Sequence, residues 1–146
     1  MKAGPSQEFL EAFHRTPGLC VLLDPAFVIL AQNQAHAQAT LTTAKPVVGK
    51  HLFEVYPDNP DHAAAEGVAA LRDSLLKVLK TRQADVMPLI RYDVQAERGP
   101  YQTRWWRVTN TPVLGDDGYV QWIINQAEDV RELVAWRKQA GLPLRP

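Results

Sequence analysis

Few side chains in this sequence are spaced so that they could do chemistry, and most of those suit binding better than bond-breaking. Arg91 and Asp93 lie two apart in an extended stretch, so strand alternation puts them on one face. A buried Arg91 needs either an internal carboxylate, from Asp93 or Glu54, or an anionic group on a ligand, because an unpaired buried charge is costly. Asp58, Asp61 and His62 carry metal-ligating atoms. Their spacing around Pro57 and Pro60 fits no standard metal loop, and turn chemistry accounts for them. Cys20 sits in an apolar run and reads as a small core residue. Arg104-Trp105-Trp106-Arg107 could stack single-stranded bases only if both indoles shared a face; alternation separates them, so no nucleic-acid partner is expected. The sequence has no Gly-x-Ser-x-Gly and no Gly-rich phosphate loop.

The elements that must position these residues can be read from pattern. Ser6 caps a helix over residues 6–15, with Phe9, Leu10 and Phe13 on one apolar face. Leu19–Leu23 and Phe27–Ala31 form a hairpin around the turn Asp24-Pro25-Ala26. Asn33 opens a short helix to Thr40, and Lys50–Tyr56 makes a helical turn or two after Gly49. Asp61 is placed as the cap of a long amphipathic helix over 62–81, with Val68, Leu71, Leu75, Val78 and Leu79 at helical spacing. Ala84–Val94 is a third strand, put at a sheet edge because Pro88 cannot donate to a ladder. Arg104–Leu114 and Tyr119–Ala127 make a long hairpin around Gly115-Asp116-Asp117-Gly118. Asp129, with Glu132 three residues on, caps an exit helix over 130–140. The order implies an α+β domain: a five-stranded antiparallel sheet with helices on one face.

The totals agree with one globular domain. The chain has 146 residues, 46% of them hydrophobic, and 16 basic residues balance 16 acidic ones. Zero net charge argues against a dedicated nucleic-acid or anionic-membrane surface. A single cysteine excludes an intrachain disulfide and is compatible with a reducing compartment. With no signal peptide and no apolar run near the ~18–20 residues that span a bilayer, the expected location is cytoplasmic, without membrane insertion.

The ordered set resembles the PAS sensor domain from about Phe9 to Trp136. Its carriers are the first hairpin with Asp24 in its turn, Asn33 starting the next helix, Gly49 before Leu52-Phe53, the long helix, and three closing strands with Gly118 in the last turn. Glu128-Asp129-Val130 is similar to the Asp-Ile-Thr ending of many PAS domains, with Arg131 in place of Thr. His51 to Pro60 and Arg91-Tyr92-Asp93 resemble PAS domains of bacterial sensor histidine kinases. The resemblance implies residues 17–129 as the PAS core. It also implies a sensory or interaction module of two-component signal transduction, commonly dimeric, that controls an output domain such as a histidine kinase. No catalytic activity is expected of the chain itself.

Matching Pro112 and Asp129 to flavin-binding PAS relatives implies that Trp106, Val108 and Asn110, and Ile123, Asn125 and Ala127, face the helices. The same parity places Met87, Leu89, Arg91 and Asp93 inside. The ligand cavity would then hold Arg91, Asn110 and Asn125 among Trp106, Phe53 and Tyr56, and would take a small anionic or carboxylate-bearing ligand; the alternative is an internal ion pair and no ligand. No histidine could be placed in this inward set, which argues against an enzyme. The opposite face, with Trp105, Trp122 and Ile124, needs cover from Phe9, Leu10 and Phe13, from a second copy of the chain, or from both. A homodimer is favoured, against a monomer covered by its own helix. Haem is disfavoured, since the long helix offers only His62, at its start, with His51 as an alternative ligand. Light-sensing flavin chemistry is disfavoured because no cysteine lies near Gly49–Tyr56. Asp129, Val130 and Leu133 are the expected signal exit. Val130, Leu133, Val134 and Arg137 have the spacing to begin a coiled coil.

Overall fold

The fold comes from a computed structural model, which describes residues 4–144. Ser6 starts α1 (Gln7–Arg15) by accepting the Phe9 amide on its hydroxyl. β1 (Leu19–Leu23) and β2 (Ile29–Gln32) pair antiparallel. Asp24 Oδ1 holds their turn by accepting the Ala26 and Val28 amides at 2.8 and 3.0 Å. Then come α2 (Gln34–Ala39), the single turn α3 (Leu52–Val55) and α4 (Gly67–Thr81). The long hairpin is β7 (Trp105–Leu114) and β8 (Val120–Asp129), and α5 (Arg131–Gln139) follows. Gly118 takes φ +81° in its turn, where any Cβ would be strained.

The third strand is not one strand. Its pieces are β3 (Asp85–Val86) and β4 (Ile90–Arg91), both paired with β7. Pro88 has no N–H to give the ladder, and the chain bulges there. Before it, Val86 sits opposite Thr109; after it, Ile90 sits opposite Trp106, one residue out of step. The segment beyond contains a small hairpin of β5 (Val94–Gln95) and β6 (Tyr101–Gln102). The main sheet runs β2-β1-β8-β7-β3, with β4 beside β7. β8 is therefore an interior strand, flanked by β1 and β7, and not an edge.

One face of the sheet packs the main core: Val21, Leu23, Ile29, Val108 and Ile123 meet Leu52, Leu71, Leu75 and Val78 of α3 and α4. α4 starts five residues later than its periodicity suggests. Asp61 does not cap it; Asp58 Oδ1 accepts the Val68 amide, while Asp61 gives its own amide to Asn59 Oδ1. His62 consequently lies in the preceding turn rather than on the helix. Gly67 begins α4 hard against the Tyr92 ring, where an added Cβ would come within 2.7 Å of a ring carbon. Gly67→Ala should therefore destabilise the fold by about 1–3 kcal/mol, despite alanine's better helix propensity. Urea unfolding checks this, and a neutral or stabilising result would mean the ring moves freely.

The other face carries two separate covers. α1 lays Phe9, Leu10 and Phe13 on Cys20, Leu22, Ala31, Trp122 and Ile124, with the Phe9 and Trp122 rings 5.6 Å apart. α5 turns back onto Leu89 through Val130 and Val134, beside Trp105, and Lys138 lies 5.8 Å from the Trp105 ring. The expectation of a helix that leaves the domain is corrected accordingly. Two of the four positions proposed for a coiled coil, Val130 and Val134, are buried in this contact. Asp129 is not the N-cap residue either. α5 begins one residue later, and Asp129 accepts both the Arg131 amide and its guanidinium.

Candidate ligand-binding site

Between α2, α3, α4 and the inner face of the sheet lies a cavity of about 60 Å³. Its wall is largely apolar, from Leu52, Leu71, Val94, Val108, Ala127 and the Trp106 ring, with polar groups at His36, Thr40, Tyr56, Tyr92 and Asn125. That volume suits a ligand of a few non-hydrogen atoms.

Parity in β7 and β8 is as expected. Trp106, Val108, Asn110, Ile123, Asn125 and Ala127 point to the helices. Trp106 and Asn125 line the cavity with Tyr56. Asn110 stands behind Asn125, directly across the ladder. Phe53 packs on the edge of the core under the Arg72 guanidinium and does not line the cavity.

Arg91 is elsewhere. The bulge at Pro88 moves every later side chain of that segment to the opposite face, since the side-chain period of a strand is two. Met87 stays inside, but Leu89 joins the α5 contact and Arg91 lies opposite Trp105 on the outer face. Its guanidinium grips Asp93 at 2.9 and 3.0 Å. Glu54 is not its partner. Burial pushes the Asp93 carboxyl up, but bonds from Arg91, Asn59 and the Arg104 amide outweigh this and hold it below its ordinary value. The inference of an anion-binding arginine in the cavity is thereby corrected: no Arg or Lys among the described residues lines it.

Sequence reasoning missed His36. Asn33 fixes α2 by accepting the amides of both His36 and Cys20 and by donating to the carbonyls of Thr16 and Gly18. That anchor turns His36 inward, 5.7 Å from the Tyr56 ring. Six residues are too few for helical periodicity to reveal a face, although three residues past an Asn N-cap was a usable signal. Burial lowers the His36 pKa to about 4, so the imidazole is neutral at pH 7. Gln32 Nε2 reaches its Nδ1 at 2.9 Å and also meets Tyr56 and Thr42. Thr40 donates to the His36 carbonyl. Burial raises the Tyr56 pKa, so the phenol also stays neutral.

A second polar chain leads out of the cavity. Asn125 Nδ2 donates to Asn110 Oδ1 at 2.8 Å, Asn110 Nδ2 to Ser74 Oγ at 2.8 Å, and Ser74 Oγ to Asp85 Oδ2 at 2.7 Å. Lys77 closes it at 3.1 Å from Asp85. The Ser74 hydrogen bond, aided by Lys77, holds the Asp85 carboxyl below its ordinary pKa. Among the described residues no carboxylate lines the cavity beside His36. Among the described residues no three His, Cys, Asp or Glu side chains group as for a metal, and no helix is long and apolar enough to cross a membrane. Cys20 is buried under α1, and burial raises its thiol pKa.

The sequence profile of the PAS fold matches residues 13–135. Three solved structures with the same architecture illustrate the likeness. An RNA-binding Light-Oxygen-Voltage receptor is 19% identical with a TM-score of 0.67; the alignment covers 97% of this chain and 40% of that one. The PAS-B domain of Drosophila melanogaster Cycle with bound ethylene glycol is 12% identical with a TM-score of 0.59, over 76% of this chain and 98% of that one. A sensory box sensor histidine kinase from Vibrio cholerae is 14% identical with a TM-score of 0.56, over 82% of this chain and 86% of that one. At such identities the likeness is one of fold, and this chain spans only two-fifths of the Light-Oxygen-Voltage receptor's length. No curated protein matches the sequence significantly. With a profile match across most of its length and this architecture, the chain belongs to the PAS family of sensory domains.

Proposed function

We propose that the domain is a sensory module that takes a small molecule in the α2–α4 cavity and reports its presence through β8 to α5, and so to an output domain such as a histidine kinase. The observation that carries this is one of continuity: Asn125 and Ala127 wall the cavity, and the same strand runs to Asp129 and into α5. Continuity supplies a route, and differential contacts in the two states must supply the coupling. Ethylene glycol bound to the Cycle PAS-B domain is a ligand of the size this cavity suits. The test is a panel of small polar compounds followed by the indole N–H resonance of Trp106, whose Nε1 donates to the Tyr92 carbonyl beside the cavity. Saturable shifts of that resonance are the expected result. A panel that leaves it unmoved contradicts binding at this site.

A homodimer on the outer face is the second reading. It is favoured by Trp122 and Ile124, which stay only partly buried under α1, and by Trp136, exposed on α5. Trp122→Glu should lower the sedimenting mass from dimer to monomer while circular dichroism retains the fold. An unchanged oligomeric state would place any dimer contact elsewhere.

A further inference from the structure

The ligand's chemistry is constrained by a hydrogen-bond chain whose direction is fixed from outside the cavity. Asp85 is an ionised carboxylate in an ion pair with Lys77, so it can only accept. Ser74 has one hydroxyl hydrogen and gives it to Asp85 Oδ2. Its oxygen is left to accept, and only the NH₂ end of Asn110 can face it. Asn110 Oδ1 is thereby turned to Asn125, which must answer with its own NH₂ end. The chain therefore leaves Asn125 Oδ1 as an acceptor, and no donor reaches it among the described residues. Asn125 is 6% exposed and lines the cavity. Its Oδ1 is also not sealed against apolar atoms: Arg104 Nε is the one buried side-chain polar atom without a partner among the described residues. The accessible surface that Oδ1 retains is thus cavity surface.

A second pole follows from the placement of the Gln32 amide. In the orientation the structure gives the Gln32 amide, its two hydrogens go to the two shortest of its three contacts, Tyr56 Oη at 2.8 Å and His36 Nδ1 at 2.9 Å, so His36 Nδ1 accepts and the imidazole carries its proton on Nε2. That N–H, on a residue 5% exposed, has no acceptor among the described residues. The hydroxyls of Thr40, Tyr56 and Tyr92 are engaged with one another or with backbone carbonyls, so the unpartnered polar groups of the wall are one oriented acceptor and one donor, with no Arg or Lys among the described residues that line it.

Resting on the sensory reading above, we propose that the cavity selects a small neutral ligand carrying an N–H or O–H donor, which it binds through Asn125 Oδ1, with His36 Nε2–H meeting the ligand's acceptor. An acceptor-only molecule of the same shape leaves Asn125 Oδ1 unpaired. An anion adds a charge that nothing in the cavity balances.

Three isosteric probes separate these cases: acetamide, which has a donor; acetone, which has none; and acetate, which is charged. Each is titrated into the full chain, and dissociation constants are read from the Trp106 indole and the Asn110 and Asn125 side-chain NH₂ resonances. Acetamide is expected to bind about tenfold more tightly than acetone, as one unpaired buried acceptor implies, and acetate more weakly than either. Ser74→Ala, which alters no atom of the cavity wall, should shrink the acetamide-to-acetone ratio toward one, because the direction of the Asn110 amide is no longer imposed. A variant that merely loosened the fold would weaken both probes alike. Equal binding of acetone and acetamide to the wild-type protein would overturn the donor requirement while leaving the ligand-binding reading intact. Preference for acetate would overturn the neutral class. Silence from all three would overturn both the selectivity and the cavity's role as a binding site.

Discussion

Asn33→Ala should cost about 3 kcal/mol or more of unfolding free energy, the largest single-residue polar effect in the domain. Asn33 is fully buried, and its side chain completes four backbone bonds at once. Loss of the N-cap alone accounts for about 1 kcal/mol. Stranding the Cys20 amide in the core adds about 1–3 kcal/mol, before the carbonyls of Thr16 and Gly18 are considered. The damage should be directional. α2 is tied to β1 and to the end of α1 through this one side chain, so exchange protection should fall first in residues 34–40 and then at Cys20. Asn33→Asp should recover part of the loss, since a carboxylate keeps both acceptor bonds and loses both donors. Guanidinium titration and hydrogen exchange check the size and place of the effect. A loss under 1 kcal/mol would mean that α2 is held by its packing.

The second large effect concerns pH. His36 has a folded-state pKa of about 4, against about 6.5 when exposed. Between those values the unfolded chain binds a proton that the folded protein refuses, so stability rises with pH across this window. The contribution is fully present above pH 6.5, is lost progressively as pH falls to about 4, and reaches roughly 3 kcal/mol. Asp85 and Asp93 have folded pKa values held below their ordinary ones, so their contributions are lost as pH falls through those lower values. His36→Gln should therefore flatten the dependence of unfolding free energy on pH between 6.5 and 4 while leaving the steeper acid limb. An unchanged slope in that window would mean that His36 titrates normally, and that the polar hub around Tyr56 opens to water.

Much of this was legible in the sequence. Asp24, Gly118 and Ser6, and Asn33 in its role as the α2 cap, announced their turns and caps because those roles act on backbone within a few residues, whereas the bonds of Asn33 to Thr16, Gly18 and Cys20 did not show. Alternation in Trp105–Thr109 and Trp122–Ala127 gave the correct faces, since the β7–β8 ladder holds one register from Trp106 to Val113. What stayed hidden depends on contacts made across the chain or on one local slip. The bulge at Pro88 is a single-residue event, yet it carried Arg91 out of the cavity and Leu89 under α5. Asp58 caps α4 from ten residues upstream, which no local cap pattern contains. Ser74 reads as one polar position on an amphipathic helix, and its role appears only when Asn110 and Asp85 are brought to it. Trp105 and Trp122 were correctly seen to need cover, but the cover of Trp105 proved to be α5, the element expected to project outward.

The claim on which the account turns is that occupancy of the cavity is felt by α5. Hydrogen exchange across Val130–Trp136 measures it, with acetamide at saturation as the cavity probe and the Trp106 indole resonance as the check on occupancy. Val130 donates its amide to the Trp105 carbonyl, and Val134 packs on Leu89, so a shift in β8 should alter protection there first. The account predicts a reproducible change in exchange at those amides when the cavity fills, with α1 unaffected. Identical protection in the filled and empty protein would contradict transmission and leave a binding domain whose last helix only closes the fold.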